Sequence, residues 1–153
     1  MIEIASIIHP GFTKEDRAGF AYFFAHWCAF NMTALNLKCW KFKYLFHDIE
    51  KPWLKLILRD YSKVQKIHRK RAKHHLTYGE YHGYFEVDYE AMVIDWECSR
   101  YTKQNSQLTA FEEYQKIIDK FNKSYTDSQK RIAMKYIPPV LKKLELWHES
   151  SKG

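Results

Sequence analysis

The segment TKEDRAGFAYFFAHWCAFNMTALN, Thr13 to Asn36, decides the fold class. Thr13 and Asp16 have the three-residue spacing of a helix-capping pair. The residues that follow put Phe20, Phe23, Phe24, Trp27 and Phe30 at helical intervals, with no proline before Pro52. A long helix crowded with aromatic side chains must bury much of its surface, so the segment is predicted to be central. His26 lies in the middle of it, flanked by Tyr22, Phe23, Ala29 and Phe30. Something must satisfy its ring nitrogens there.

Working outward, a second helical segment is predicted from about Leu37 to His47-Asp48. Pro52 disfavours helical geometry at Lys51 and can itself open the next helix. HDIEKP (residues 47–52) therefore reads as a helix-to-helix junction. From Pro52 to about His75 the pattern is helical, with a break near Asp60–Ser62, and it includes the basic run KVQKIHRKRAKHH (63–75). LTYGEYHGYFEV (76–87) reads as a loop. Asp88 is a candidate N-cap for a helix to about Tyr101, which KQNSQ (103–107) closes. Thr109 with Glu112, and Thr126 with Gln129, have capping-box spacing and start two further helices. Pro138-Pro139 is expected to break or kink the last one before a polar, frayed end at Ser150–Gly153.

No repeat or linker divides the chain. Its 153 residues suit one domain. The expectation is an all-α, single compact bundle of six or seven helices over residues 1–153, with about ten N-terminal and five C-terminal residues peripheral. The 46% hydrophobic and 17% aromatic content supplies a core, and five glycines with four prolines leave few sharp turns. That balance disfavours a strand-rich sandwich. Cys28, Cys39 and Cys98 form an odd set without a Cys-x-x-Cys pair, which argues against a disulfide framework or a cysteine zinc site and for buried thiols in a reducing cytoplasm. MIEIASIIHPGF lacks the basic leader and cleavage site of a signal peptide, and the apolar runs fall short of a membrane span. A cytoplasmic protein without a membrane partner is expected. The net charge of +7 favours anionic partners without choosing among phosphates, nucleic acid and acidic surfaces.

Five of the eight histidines, His26, His47, His68, His74 and His75, fall in predicted helices, whereas His9, His82 and His148 read as solvated. Imidazoles and carboxylates together suit a divalent transition metal such as Mn, Fe, Co or Zn, with Mg also compatible. His47 and Asp48 would diverge by about 100° on a regular helix, but a helix end can turn both towards one ion. A carboxylate at a helix C-terminus opposes the macrodipole, which favours a compensating cation at Asp48. Lys51, one turn on, could reach an anion held by that ion. His68 and His75 are seven apart and share a helix face, with His74 rotated from them. Arg69, Lys70 and Arg71 supply positive charge beside them. Asp95 has Ala91, Met92, Cys98 and Ser99 as helical neighbours, so it needs a metal, a cation or hydrogen bonds.

The order His26, then His47-Asp48-x-x-Lys51, then His68, His74-His75 and Asp95 resembles the HD superfamily of helical metal-dependent phosphohydrolases. It also looks like an uncharacterised bacterial and phage family that pairs an HD junction with a later His-His and an Asp-Trp. The resemblance covers residues 20–100. It implies one metal on His26, His47, Asp48 and Asp95, and, as in two-metal members, added ligands at His68, His74 and His75. By charge and reach, Asp48 and Lys51 are the expected catalytic residues and Lys51, Arg69 and His75 the expected substrate contacts, while the resemblance implies a nucleotide phosphoester as substrate, a 5′-monophosphate first. The chain lacks the signature that follows the His-His pair in cyclic-dinucleotide phosphodiesterases, which points away from that substrate. The alternatives are a non-catalytic nucleotide- or nucleic-acid-binding module using the basic helix 63–73, and a degenerate HD domain that acts by binding.

Overall fold

The computed structural model describes residues 1–8, 11–104, 107–119 and 124–148. His9, the middle of the KQNSQ segment and the C-terminal tail lie outside the described residues. Those described form eight α-helices and no strand: α1 (Ile4–Ile7), α2 (Phe20–Asn36), α3 (Glu50–Leu58), α4 (Tyr61–Arg71), α5 (Leu76–His82), α6 (Tyr89–Ser99), α7 (Ala110–Ile118) and α8 (Asp127–Lys143). The all-α expectation holds, with one or two more helices than predicted.

The core is built on α2 and α6, which pack along each other, with α8 against α6 and α7 against both. Helix α6 is buried nearly all round, through Ala91, Met92, Val93, Ile94 and Cys98, the pattern of a helix enclosed by others. Phe30 of α2 is fully buried among them, a side chain whose burial contributes about 1.5–3 kcal/mol. Ile4 and Ile8, in the segment expected to be peripheral, also enter the core. Asn36 holds the chain there by accepting from the Ile2 amide at 2.7 Å and donating to the Ile2 carbonyl at 2.8 Å.

Several boundaries differ from the sequence reading. The Thr13–Asp16 pair does form, the Asp16 carboxylate accepting from the Thr13 amide at 2.9 Å. It heads only a 3₁₀ turn, Asp16–Ala18, because Gly19 is extended and α2 starts after it. The predicted helix from Leu37 is instead a 3₁₀ turn, Phe42–Phe46. Helix α3 starts two residues before Pro52, so Lys51 is helical: a proline in the first turn sacrifices an N–H that has no intrahelical acceptor anyway. The break at Arg59-Asp60 is where it was expected, with Asp60 capping α4. However, α4 ends at Arg71 and the supposed loop contains α5, which closes on Gly83 at φ 101°, a conformation suited to glycine. Both Thr capping boxes are complete. Pro138-Pro139 does not end α8. The carbonyls deprived of a partner belong to Met134 and Lys135, exposed residues where water can replace the missing N–H.

Candidate metal centre

Five segments converge beside the α2–α6 core. His26 projects from the middle of α2 and Asp95 from α6, across the interface of those two helices. His68 lies in the last turn of α4, His74 in the turn after it, and His75 caps α5. His47 and Asp48 sit between the Phe42–Phe46 turn and α3. Only His26 and His68 of the five histidines are therefore inside helices. Asp48 precedes a helix N-terminus instead of ending a helix, which corrects the macrodipole argument made from sequence.

The junction explains how adjacent residues face one centre. His47 is extended, at φ −61° and ψ 124°, and Asp48 follows at φ 58°. This left-handed conformation is one that Asp tolerates better than most residues. The change of hand turns the Asp48 carboxylate to the same side as the His47 ring. Phe30 stacks on that ring at 3.6 Å between centroids, tying it to the core.

The Asp48 carboxylate divides the cluster. Its Oδ2 faces His26 Nε2 at 3.5 Å and His47 Nε2 at 3.6 Å. Asp95 Oδ1 completes that side, 2.9 Å from His26 Nε2 and 3.4 Å from His47 Nε2. Oδ1 of Asp48 faces the other way, 3.1 Å from His68 Nε2 and 3.4 Å from His74 Nε2. The His75 ring lies 4.3 Å from that of His74 and 4.8 Å from that of His68.

Apart from the 2.9 Å and 3.1 Å contacts, these separations are long for direct hydrogen bonds. Ligand atoms about 2.0–2.1 Å from one metal lie about 2.8–3.4 Å from each other in octahedral or tetrahedral arrangement. The Nε2 atoms of His47, His68, His74 and His75, with Asp48 Oδ1, are buried and find no hydrogen-bond partner among the described residues. Leaving so many buried polar atoms unpaired is costly. The sets His26/His47/Asp48/Asp95 and His68/His74/His75 could each hold a metal ion.

Electrostatics keeps His47, His75, Asp48 and Asp95 in suitable forms, whereas at His68 burial and Lys51 are outweighed by Asp48 and Glu50, which raise the imidazole above its ordinary value. Burial, reinforced by His74, lowers His47 to about 4, against the pull of Asp48 and Asp95. Burial, with His74 and His68 beside it, also holds His75 well below the ordinary histidine range. Burial would raise Asp48, but His47, Lys51 and His68 outweigh it and hold the carboxyl well below its usual range. Burial would likewise raise Asp95, which His26 and His47 lower instead. Burial would neutralise Lys51, but Asp48 and Asp95 keep it charged. Its ammonium donates to Asp48 Oδ2 in a buried ion pair.

Glu50 is a functional candidate missed in the sequence. Its carboxylate accepts from His68 Nδ1, leaving Nε2 to face Asp48. The carboxylate–histidine–metal pattern uses such an outer hydrogen bond to fix ring orientation. The signal was its place in HDIEK, but the reading treated that residue as part of a spacer. Arg69 is exposed on α4 and does not line the cavity of about 260 Å³ beside His47, Asp48 and His74. Lys43, Arg71 and Lys73 line it instead. His82 and His148 are exposed, as expected. The three cysteines are free thiols, Cys98 buried and the others half-buried. No helix is long and apolar enough, among the described residues, to cross a membrane.

Compared with known proteins, the chain matches no family model, no curated protein and no solved structure. The geometry therefore carries the functional reading.

Proposed function

We propose that this chain is a divalent-metal-dependent phosphohydrolase that cleaves a phosphoester of a nucleotide, with two ions sharing Asp48. The observation that carries the reading is the division of the Asp48 carboxylate: Oδ2 turns to His26 and His47, and Oδ1 to His68 and His74. His26, His47, Asp48 and Asp95 would hold one ion, and Asp48, His68, His74 and His75 the other. Mn, Fe, Co and Zn suit this mixed imidazole and carboxylate set, with Mg less well served by so many nitrogens. When bound, such ions supply Lewis acidity towards a phosphoryl oxygen and lower the pKa of a water.

The chain's own residues complete the arrangement. Asp48, held ionised, positions the two halves of the centre relative to each other. Lys51 donates to Asp48 Oδ2, and its ammonium would stabilise charge that develops on a phosphoryl oxygen held beside that carboxylate. Arg71 at the cavity wall, with Lys43 and Lys73, favours an anionic substrate. The preference for nucleotides, with a 5′-monophosphate first, comes from the resemblance of the motif order to the HD superfamily.

The test is phosphate release from a panel of nucleotides by metal-loaded protein, with His47→Ala and Asp48→Ala alongside. The reading expects chelator-sensitive turnover that both variants abolish. Turnover unchanged in both would overturn it.

A further inference from the structure

Helix α3 is amphipathic in an unusual sense, because its polar residues Glu50 and Lys51 point into the metal centre and its apolar stripe points to solvent. Ile49, Trp53, Leu56 and Ile57 follow the spacing of one helix face and all are exposed, Trp53 by 66% and Ile57 by 76%. The stripe continues onto neighbouring elements. The Ile49 amide donates to the Phe46 carbonyl, and Phe46 and Phe42, both exposed, meet edge-on at 5.7 Å. On the next element, exposed Phe24 stacks on Trp27, whose indole N–H donates to the Leu45 carbonyl at 2.9 Å. At the other end of α3, Phe23 of α2 packs against Tyr61. Helix α3 touches α2 and packs chiefly on α4, with the Phe42–Phe46 turn leading into it.

We propose that this face closes on the same face of a second copy of the chain, forming a two-fold symmetric dimer. Side chains of this size and exposure present on the order of 800 Å² of apolar surface, what each partner contributes to a standard interface. A monomer seldom leaves a patch of that size open. Aromatic enrichment and depletion of charge are the marks of an interface core. Lys55, on the far side of the helix from Trp53, donates to the Arg59 carbonyl, and Lys70 and Arg71 border the stripe beside Ile57. A two-fold interface needs a single self-complementary patch, and an apolar stripe can meet its own copy across the axis.

Nucleic acid is a poorer occupant, because exposed aliphatic side chains at Ile49, Leu56 and Ile57 offer it nothing. An anionic lipid surface could take the apolar face, but salt distinguishes the two cases. Each copy carries +7, so added salt screens repulsion and strengthens self-association, whereas it weakens attachment to an anionic surface. Phe46 also lines the cavity beside His47, so the partner copy would border its mouth. The dimer does not depend on the proposed chemistry.

Sedimentation equilibrium of the full chain, at low and high salt, tests the proposal. The expected mass is twice the 18.5 kDa of one chain, with tighter association at high salt. Ile57→Asp and Trp53→Glu should each weaken association at least about thirtyfold, a hot-spot-sized effect. Met134→Glu, at an exposed site on α8, should not. Circular dichroism should show all three variants folded. A wild-type monomer at every concentration, or a dimer indifferent to both α3 variants, would overturn the proposal. So would association that weakens with salt, or vesicle binding by a monomer that the same variants abolish.

Discussion

Glu50 accepts a hydrogen bond from His68 Nδ1, and the opposite ring nitrogen of His68 stands 3.1 Å from Asp48 Oδ1. One carboxylate thereby sets the direction in which another residue's ligand atom points. Glu50→Gln keeps the shape of the side chain but weakens that hold. The variant should fold normally and bind metal about 10–100-fold more weakly, as isothermal titration would show. Unchanged affinity would mean that Glu50 only occupies space.

Asp48 and Lys51 form a buried ion pair at the same place. In chelator-treated protein, Asp48→Asn should cost about 3 kcal/mol, because it takes the one hydrogen-bonded carboxylate from a buried ammonium and leaves it only the more distant Asp95. Asn tolerates the left-handed backbone at this position, so strain adds little. Lys51→Met introduced with it should recover most of that loss while leaving metal binding impaired. Denaturant unfolding of the two variants checks both statements.

The position of Glu90, outside the candidate metal-holding sets, gives a pH dependence of its own. Burial would raise its carboxyl, but hydrogen bonds from Lys41, Lys143 and Tyr44 outweigh it and lower the pKa to about 2. A carboxylate depressed on folding stabilises the fold above its ordinary pKa of 4.5, and that contribution fades as pH falls from 4.5 towards 2. The two lysines are largely exposed, so screening keeps the effect to about 1 kcal/mol. Glu90→Gln should be less stable than wild type at pH 7, and the difference should shrink below pH 4.5.

Gly79 of α5 is held by a close approach. A Cβ there would come within 2.4 Å of the Tyr84 ring and 2.9 Å of Val87. Gly79→Ala should destabilise the protein by about 1–3 kcal/mol through overpacking, lowering its thermal midpoint. A stabilised variant would show that the Tyr84 turn yields freely.

Much of this was legible in the sequence, for identifiable reasons. The N-cap at Asp88 and the capping pairs at Thr109 and Thr126 are local signals, and each marks a real helix start. Asp95 stood out because an apolar helix face cannot leave a carboxylate alone, and it meets His26 at 2.9 Å. His74 and His75 were expected on a continuing helix, yet they reach the cluster from a turn and an N-cap. Their placement depends on the turn after Arg71, where the Asp88 amide donates to the Lys73 carbonyl at 2.8 Å, a contact between distant segments that spacing does not encode. Arg69 was chosen for its charge and nearness in sequence, but a helix that ends at Arg71 leaves it on the outer surface. The exposed face of α3 was equally hidden, since its apolar spacing looks the same whether it faces the core or solvent.

The central claim is that Asp48 joins two metal-holding sets. Its most direct test is the metal content of protein stripped with chelator, reloaded with manganese or zinc and freed of excess ion, read by elemental analysis. The account expects about two equivalents in the wild type, about one each in His47→Ala and His68→Ala, and almost none in Asp48→Ala. A wild-type protein that retains no metal, or an Asp48→Ala variant that retains as much as wild type, would contradict it.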